Sequence, residues 1–537
     1  MSEGIGTEKR KSKTRSALRW SYALTWSTKA INIVSMVILA RILGPESFGV
    51  AALALVFVLF IEMFAESGLA PAIVQRKDLE PEDLDSIFWL NMALAIPLAI
   101  AGYAASDLLG HLVKDEQVPG MFAALSPLIL FRGLCVVQFA LAQRELRFKD
   151  LAIRGAASTA VGSVAGIGSA LGGLGIWSLV VQYLVTDLLS TVLLWRLGTW
   201  RPRMRFEFRR ARSFLHFSSG VIVSQVAVFA SNQSDVLVMG ALFGPKAVGI
   251  FRLAMRVVNI LVDMLIRPVQ AIALPRLSAL CANPDAMRAE VLRLMRFSSL
   301  AMLPAMGALV VGAEAVTSIL GPRWEAAATA MRVLAFIGVA KSMSLLTGPT
   351  MLALGRSHVV AAGSIGQCFI TIAAIVCAGL WAEGRSDDVQ VLSVAAARAG
   401  VFLLLVMPLQ LRFLSRAAGI PATHMLRAIQ PGLQALALTL AIGFGVAWIC
   451  HALGLSQMAA SWSSAIASGA TAAVLVVRAR KMKPSSTPAA PSEESNLKDA
   501  SPLSASESAA PTSTSTSART PATPPSVPST DTGNTTV

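Results

Sequence analysis

The chain has 537 residues, 54% of them hydrophobic and 14% charged, with a formal net charge of +15. An ordinary soluble domain is about 25% charged, so this composition excludes a large soluble core. The positive charge does not describe a nucleic-acid surface either. Lys and Arg gather at one set of ends of the apolar segments, with no aromatic-interleaved basic domain to grip phosphates in series.

Crossing a bilayer takes about 20 helical residues, and apolar stretches of that order fill the chain from about Tyr22 to Val477. Lipid offers backbone groups no partner, so these stretches must be helices. Runs such as 51–59 and 472–477 lack the alternation a membrane strand requires. The expected class is an all-α membrane protein of about 14 transmembrane helices. The approximate spans are 20–41, 47–69, 86–106, 119–142, 151–172, 175–196, 214–241, 248–274, 297–319, 327–353, 358–382, 389–411, 429–451 and 457–477.

In chain order, residues 1–19 form a basic N-terminus that resembles the start of a signal peptide. No A-x-A-like cleavage site follows and the apolar stretch is too long, so it is expected to stay as the first span. Tyr22, Thr25, Lys29 and Asn32 share a face of that span, and Glu62 and Glu66 lie one turn apart in the second. In the fifth, Gly162 and Gly166, then Gly168 and Gly172, give the small-xxx-small spacing expected for close helix packing. Arg144, Arg147, Lys149 and Arg154, the very basic loop 197–213, and Arg276, Arg288, Arg293 and Arg296 mark one side as cytoplasmic. An even span count then puts both termini there.

Leu43-Gly44-Pro45-Glu46-Ser47-Phe48-Gly49-Val50 after the first span is echoed by Phe243-Gly244-Pro245-Lys246-Ala247-Val248-Gly249-Ile250 after the seventh, an offset of 200 residues. Pro ends one helix and Gly reverses the backbone; the matched positions predict two pseudo-symmetric six-helix lobes, 20–196 and 214–411, with substrate between them. Two extra helices fill 412–477, and the Ser/Thr/Pro tail 478–537 is expected to be disordered and cytoplasmic.

The sharpest site signal is the eighth span. At about 100° per residue, Arg252, Arg256, Asn259, Asp263, Arg267 and Gln270 fall in a stripe roughly 80° wide. Each ionisable group at membrane depth costs about 2.5–3.5 kcal/mol, so the stripe is expected to line a hydrated cavity. The competing reading is an internal ion-pair ladder, with Asp263 spaced for Arg267 and with Arg252 or Arg267 snorkelling to an interface; Lys29 with Glu62 or Glu66 has the parallel reading of a structural ion pair. The expected substrate-binding set is Lys29, Arg252, Arg256, Asn259, Arg267, Gln225 and Asn232, suited to a diphosphate or acidic sugar. Glu62, Glu66, Asp235 and Asp263 are expected to couple an ion or balance charge. Arg132, Lys341 and Arg398 are further cations inside spans, with no role fixed by sequence.

No catalytic constellation is present. The five histidines are scattered, the five cysteines form no C-x-x-C pair, and no Gly-rich phosphate loop precedes a Lys-Ser/Thr. No metal, cofactor or enzymatic role is expected.

The segments Leu39-Ala40-Arg41-Ile42-Leu43-Gly44-Pro45-Glu46-Ser47-Phe48-Gly49, Gly68-Leu69-Ala70-Pro71-Ala72-Ile73-Val74-Gln75-Arg76-Lys77-Asp78-Leu79, Phe88-Trp89-Leu90-Asn91, Ile319-Leu320-Gly321-Pro322-Arg323-Trp324 and Leu352-Ala353-Leu354-Gly355-Arg356 resemble the Wzx-type polysaccharide transporters. Those belong to the multidrug/oligosaccharidyl-lipid/polysaccharide exporter superfamily. The resemblance covers roughly 16–477 and implies a bacterial inner-membrane flippase. Such a protein moves undecaprenyl-diphosphate-linked oligosaccharide outward by alternating access, for lipopolysaccharide or exopolysaccharide synthesis. Membrane lipids, a polysaccharide polymerase and chain-length proteins are the partners it implies, with no nucleic acid. Two alternatives remain beside it: a multidrug or cation antiporter of the same superfamily, and a non-catalytic scaffold of polysaccharide assembly.

Overall fold

The computed structural model describes residues 2–66, 73, 80–104, 106, 116–145, 147–207, 226 and 229–481, with backbone alone for 2–26, 57, 61–66, 357, 358, 361 and 478–481. The basic loop beyond 207 and the tail beyond 481 lie outside the described residues. Among those described, every regular element is helical.

Helix α1 spans Ser2–Glu66 but breaks at Gly44, whose φ of 79° and ψ of 177° are non-helical. Glycine enters that region without a Cβ penalty, and the fixed φ of Pro45 restarts the helix. Then follow α2 (Pro81–Ala104), α3 (Gln117–Leu125), α4 (Pro127–Arg144), α5 (Phe148–Leu171) and α6 (Trp177–Leu197). Residues 229–243 form α7, and α8 (Pro245–Leu265) and α9 (Arg267–Ala279) come next. The long α10 (Pro284–Leu320) leads through a 3-10 turn, Pro322–Trp324, into α11 (Glu325–Ser344) and α12 (Thr347–Ala353). Next come α13 (Ser357–Ala382), α14 (Asp387–Gly400), a π-helical turn (Val401–Val406) and α15 (Met407–Ala418). The last two helices are α16 (Ala422–Ala452) and α17 (Gln457–Lys481).

Eleven of the described helices are long and apolar enough to cross a bilayer, or twelve if α8 and α9, bent by 41°, make one broken span. Among the described residues the expected fourteen is not confirmed. The first two expected spans share helix α1, and the seventh falls partly on residues outside those described.

Helix α1 packs on α5 and on α8, while α16 and α17 pack on α10 and on each other. Lipid supplies no hydrophobic drive between helices, so close approach relies on small residues. A Cβ on Gly162 would overlap Thr186 Oγ1 of α6, and one on Gly166 would sit 2.7 Å from Gln182 Cβ. The expected packing role holds for that pair, whereas Gly168 faces open space. A second seam went unread in the sequence. Gly307 meets Leu436, Gly432 meets Ser299, Gly443 meets Val311 and Ser468, and Gly312 meets Ala465, tying the two added helices to α10 and to each other.

The two Gly-Pro-x-x-x-Gly copies pack reciprocally. A Cβ on Gly49 would overlap the carbonyl oxygen of Pro245, and one on Gly249 would overlap that of Pro45. Gly244 repeats the geometry of Gly44 (φ 83°, ψ −178°), and Gly321 before Pro322 makes a third such turn (φ 105°, ψ 172°). Trp324, fully buried beside this contact, donates its indole N–H to Ala40 O at 3.0 Å and stands edge-on to Phe48 at 5.7 Å.

At the opposite end, the start of the basic loop is strapped to α2 and α4. Trp89 Nε1 donates to Arg203 O at 2.7 Å, Arg203 N donates to Asp85 Oδ1 at 3.1 Å, and Gln138 Nε2 donates to Trp200 O at 2.9 Å. The first residues of the expected inter-lobe tether are therefore held by hydrogen bonds.

Candidate functional site

Helix α8 starts at the turn where the repeats meet, so position along it measures distance from that contact. At about 1.5 Å per residue, Arg252 lies about 10 Å from Pro245, Arg256 about 16 Å and Asp263 about 27 Å. The stripe does not continue straight. Pro268, which lacks an amide hydrogen and fixes its φ, opens α9, and the bend puts Arg267 and Gln270 on a separate helix.

Asp263 collects two cations. Its carboxylate accepts from Lys29 Nζ of α1 at 2.9 Å and from Arg267 Nε at 2.7 Å, so an ammonium and a guanidinium share one carboxylate. The ladder reading is half met, because the i, i+4 pair forms. Lys29 finds its partner on α8, 234 residues away. The three side chains are 34%, 27% and 72% exposed, so the group is not sealed inside the protein.

Nearer the repeat contact, Arg252 is half-buried and within electrostatic reach of Asp235, Arg398, Arg256 and the Tyr183 hydroxyl. Tyr183 belongs to α6 and Asp235 to α7, so Arg252 sits where helices from both parts of the chain converge. Arg256 is exposed and Asn259 half-buried, and neither arginine has an ion pair among the described residues. Asn232, one turn before Asp235, is exposed. The side chains of Glu62 and Glu66, and all of Gln225, lie outside the described residues.

Asp235 is closed off. Arg398 NH1 of α14 lies 2.8 Å from its Oδ2, at 4% and 1% exposure. The attraction is charge alone at this alignment, because Arg398 Nε and NH1 make no hydrogen bond. Removing one member of a buried pair leaves an uncompensated charge and costs about 3–5 kcal/mol. Arg398→Met is therefore expected to lower the Tm of the purified protein markedly, and adding Asp235→Asn is expected to recover much of the loss. A double variant no more stable than Arg398→Met alone contradicts this pairing.

Three residues outside the expected set join the interior. Lys341 on α11 is half-buried, within reach of Arg398, Asp263 and Arg267, with its ammonium 5.9 Å from the Phe402 ring centroid. On the α4–α6 side, Arg132 Nε meets Asp187 Oδ2 at 2.7 Å. The signal was legible for all of them as a charge inside an apolar run, and what sequence lacked was the direction each faces. No group of three or more potential metal ligands occurs among the described residues.

Comparison with known proteins gives this architecture a context. Residues 38–329 match a family described as polysaccharide biosynthesis protein. The succinoglycan biosynthesis transport protein ExoT of Rhizobium meliloti (strain 1021) is 28% identical over 369 residues, covering 68% of this chain and 74% of that protein. The lipopolysaccharide biosynthesis protein WzxC of Escherichia coli (strain K12) is 25% identical over 382 residues, covering 68% and 75%. Among solved structures, the lipid II flippase MurJ in its inward closed conformation aligns at TM-score 0.66 and 13% identity, covering 86% of this chain and 98% of that one. An inward-facing multidrug transporter of the MATE family in the MOP superfamily aligns at 0.59 and 13%, covering 74% and 98%. The fold is thus that of the MOP-superfamily transporters.

Proposed function

Because the chain belongs to the polysaccharide biosynthesis protein family, and is a multi-pass membrane protein with a transporter fold, we propose that it is a flippase for undecaprenyl-diphosphate-linked oligosaccharide. It moves the glycan head across the bacterial inner membrane by alternating access of two six-helix lobes, with both termini in the cytoplasm. The prenyl tail stays in lipid throughout. The observation that carries this reading is the line of cations along α8, where Arg252 and Arg256 make no ion pair among the described residues while the Lys29–Asp263–Arg267 group remains partly exposed.

Arg252 and Arg256 are one turn apart, so their side chains are neighbours about 5–6 Å apart at Cβ. A guanidinium fork matches phosphate geometry, and such charge-assisted bonds are about twice as strong as neutral ones. The pair suits a diphosphate entering from the end away from the repeat contact. Asp263 holds Lys29 and Arg267 in place and, because it bridges α1 to α8, links occupancy of the cavity to the relation between the lobes. A cation excess disfavours the antiporter alternative, whose positively charged cargo needs carboxylates instead.

The test is translocation itself. Proteoliposomes holding the purified protein and undecaprenyl diphosphate linked to a labelled oligosaccharide are expected to expose the label to an external glycosidase far faster than protein-free vesicles. Equal rates in the two preparations, with the protein folded, reject the assignment.

A further inference from the structure

Charge in the interior exceeds what a diphosphate requires. Lys29, Arg252, Arg256, Arg267, Lys341 and Arg398 face only Asp235 and Asp263 among the described carboxylates. Asp235 is matched by Arg398 and Asp263 is shared by Lys29 and Arg267, which leaves Arg252, Arg256 and Lys341 without an ion pair among the described residues. A doubly ionised diphosphate is satisfied by the neighbouring arginines. Lys341 remains.

Lys341 is displaced from those arginines. It lies 16 residues into α11, about 24 Å of helix from the Trp324 turn, level with Asp263 rather than with Arg252. Its surroundings are protein on most sides, and the contact found for its ammonium is the Phe402 ring face at 5.9 Å. A ring face offsets only part of the cost of taking an ammonium out of bulk water. Phe402 is carried by the π-helical turn Val401–Val406, directly after the Arg398 helix. Such turns interrupt regular helix and are frequent at functional sites. A lysine held this way, still half-buried rather than sealed, is matched to one further anion of small size.

Resting on the flippase reading above, we propose that Lys341 is a carboxylate-binding station, and that the translocated unit is an acidic glycan carrying a uronate or similar carboxylate on a sugar near the diphosphate. Arg398 adds positive potential behind the ammonium. The diphosphate engages Arg252 and Arg256 while the sugar carboxylate engages Lys341, so head-group identity is read at two separated points.

Two probes separate the possibilities: undecaprenyl diphosphate carrying a glucuronosyl-glucose disaccharide, and the same lipid with the uronate reduced to a primary alcohol. Binding is measured on the full chain in nanodiscs by competition against a fluorescent copy of the reduced lipid. Wild type is expected to hold the acidic probe about tenfold tighter, about 1.4 kcal/mol. Lys341→Gln is expected to erase that preference while leaving affinity for the reduced probe unchanged, and Lys341→Arg to keep it. Equal affinity of wild type for both probes overturns the acidic-glycan proposal and leaves the flippase assignment standing. If Lys341→Gln weakens both probes alike, the lysine serves the diphosphate and the proposal falls. Binding of neither probe removes the flippase reading and this inference together. Should Lys341→Gln not fold, Lys341→Met is read against the same two probes, and a preference for the acidic probe that survives in it overturns the assignment to Lys341.

Discussion

The triple change Arg252→Ala, Arg256→Ala and Arg267→Ala is expected to abolish surface polysaccharide in a strain lacking the native protein, while membrane levels of the variant stay normal. A hydrogen bond to a charged group contributes about 1.5–3 kcal/mol, so loss of even two phosphate contacts weakens substrate binding by more than about a hundredfold. Insertion is not at risk from the same change. Arg at membrane depth costs about 2.5–3.5 kcal/mol on insertion scales, and its removal relieves that cost. Nor is Asp263 orphaned, because Lys29 stays bonded to it at 2.9 Å. Export at wild-type level from the triple variant, measured as surface glycan per cell, would discard α8 as the substrate face. A milder variant adds resolution: Arg252→Lys keeps charge but loses the planar fork, and is expected to retain only partial export.

The second large effect is expected at the repeat contact. Gly49→Ala and Gly249→Ala each place a methyl group on a backbone carbonyl of the opposite copy, Pro245 or Pro45 respectively. A rotating side chain can yield to such a clash, but backbone held by two helix starts cannot. Overpacking of this sort costs about 1–3 kcal/mol, and here it falls on the contact between α1 and α8 rather than throughout the fold. Either variant is expected to hold that end open and to lower translocation at least tenfold. The readout is Ala247→Cys in a cysteine-free background. Ala247 is 2% exposed, so a membrane-impermeant maleimide is expected to label the cysteine in the glycine variants and to spare it otherwise. Gly366→Ala serves as control, since nothing lies within 4 Å of a Cβ built there. Unchanged transport and unchanged labelling in Gly49→Ala would show that the contact is not a closing seal.

Sequence alone determined the elements and the residue types. Lipid leaves an unpaired backbone group no alternative, so apolar length dictates helices locally, without knowledge of neighbours. The same local logic exposed the Gly-Pro turns at Gly44 and Gly244, the glycine spacing at Gly162 and Gly166, and the polar stripe from Arg252 to Arg267. Tertiary structure alone decided what those features meet. Periodicity gave Lys29 a face but no partner, and its bond to Asp263 required α1 to lie along α8. The stripe read as continuous because a helical wheel carries no bend, whereas Pro268 turns its last residues aside. Lys341 and Arg398 were visible as charges in apolar runs, but only packing brought α7, α8, α11 and α14 together around them. The reason is one of range. Helix formation in lipid is satisfied within each segment, while an ion pair or a closed seal is satisfied by groups hundreds of residues apart, whose meeting depends on every helix packed between them.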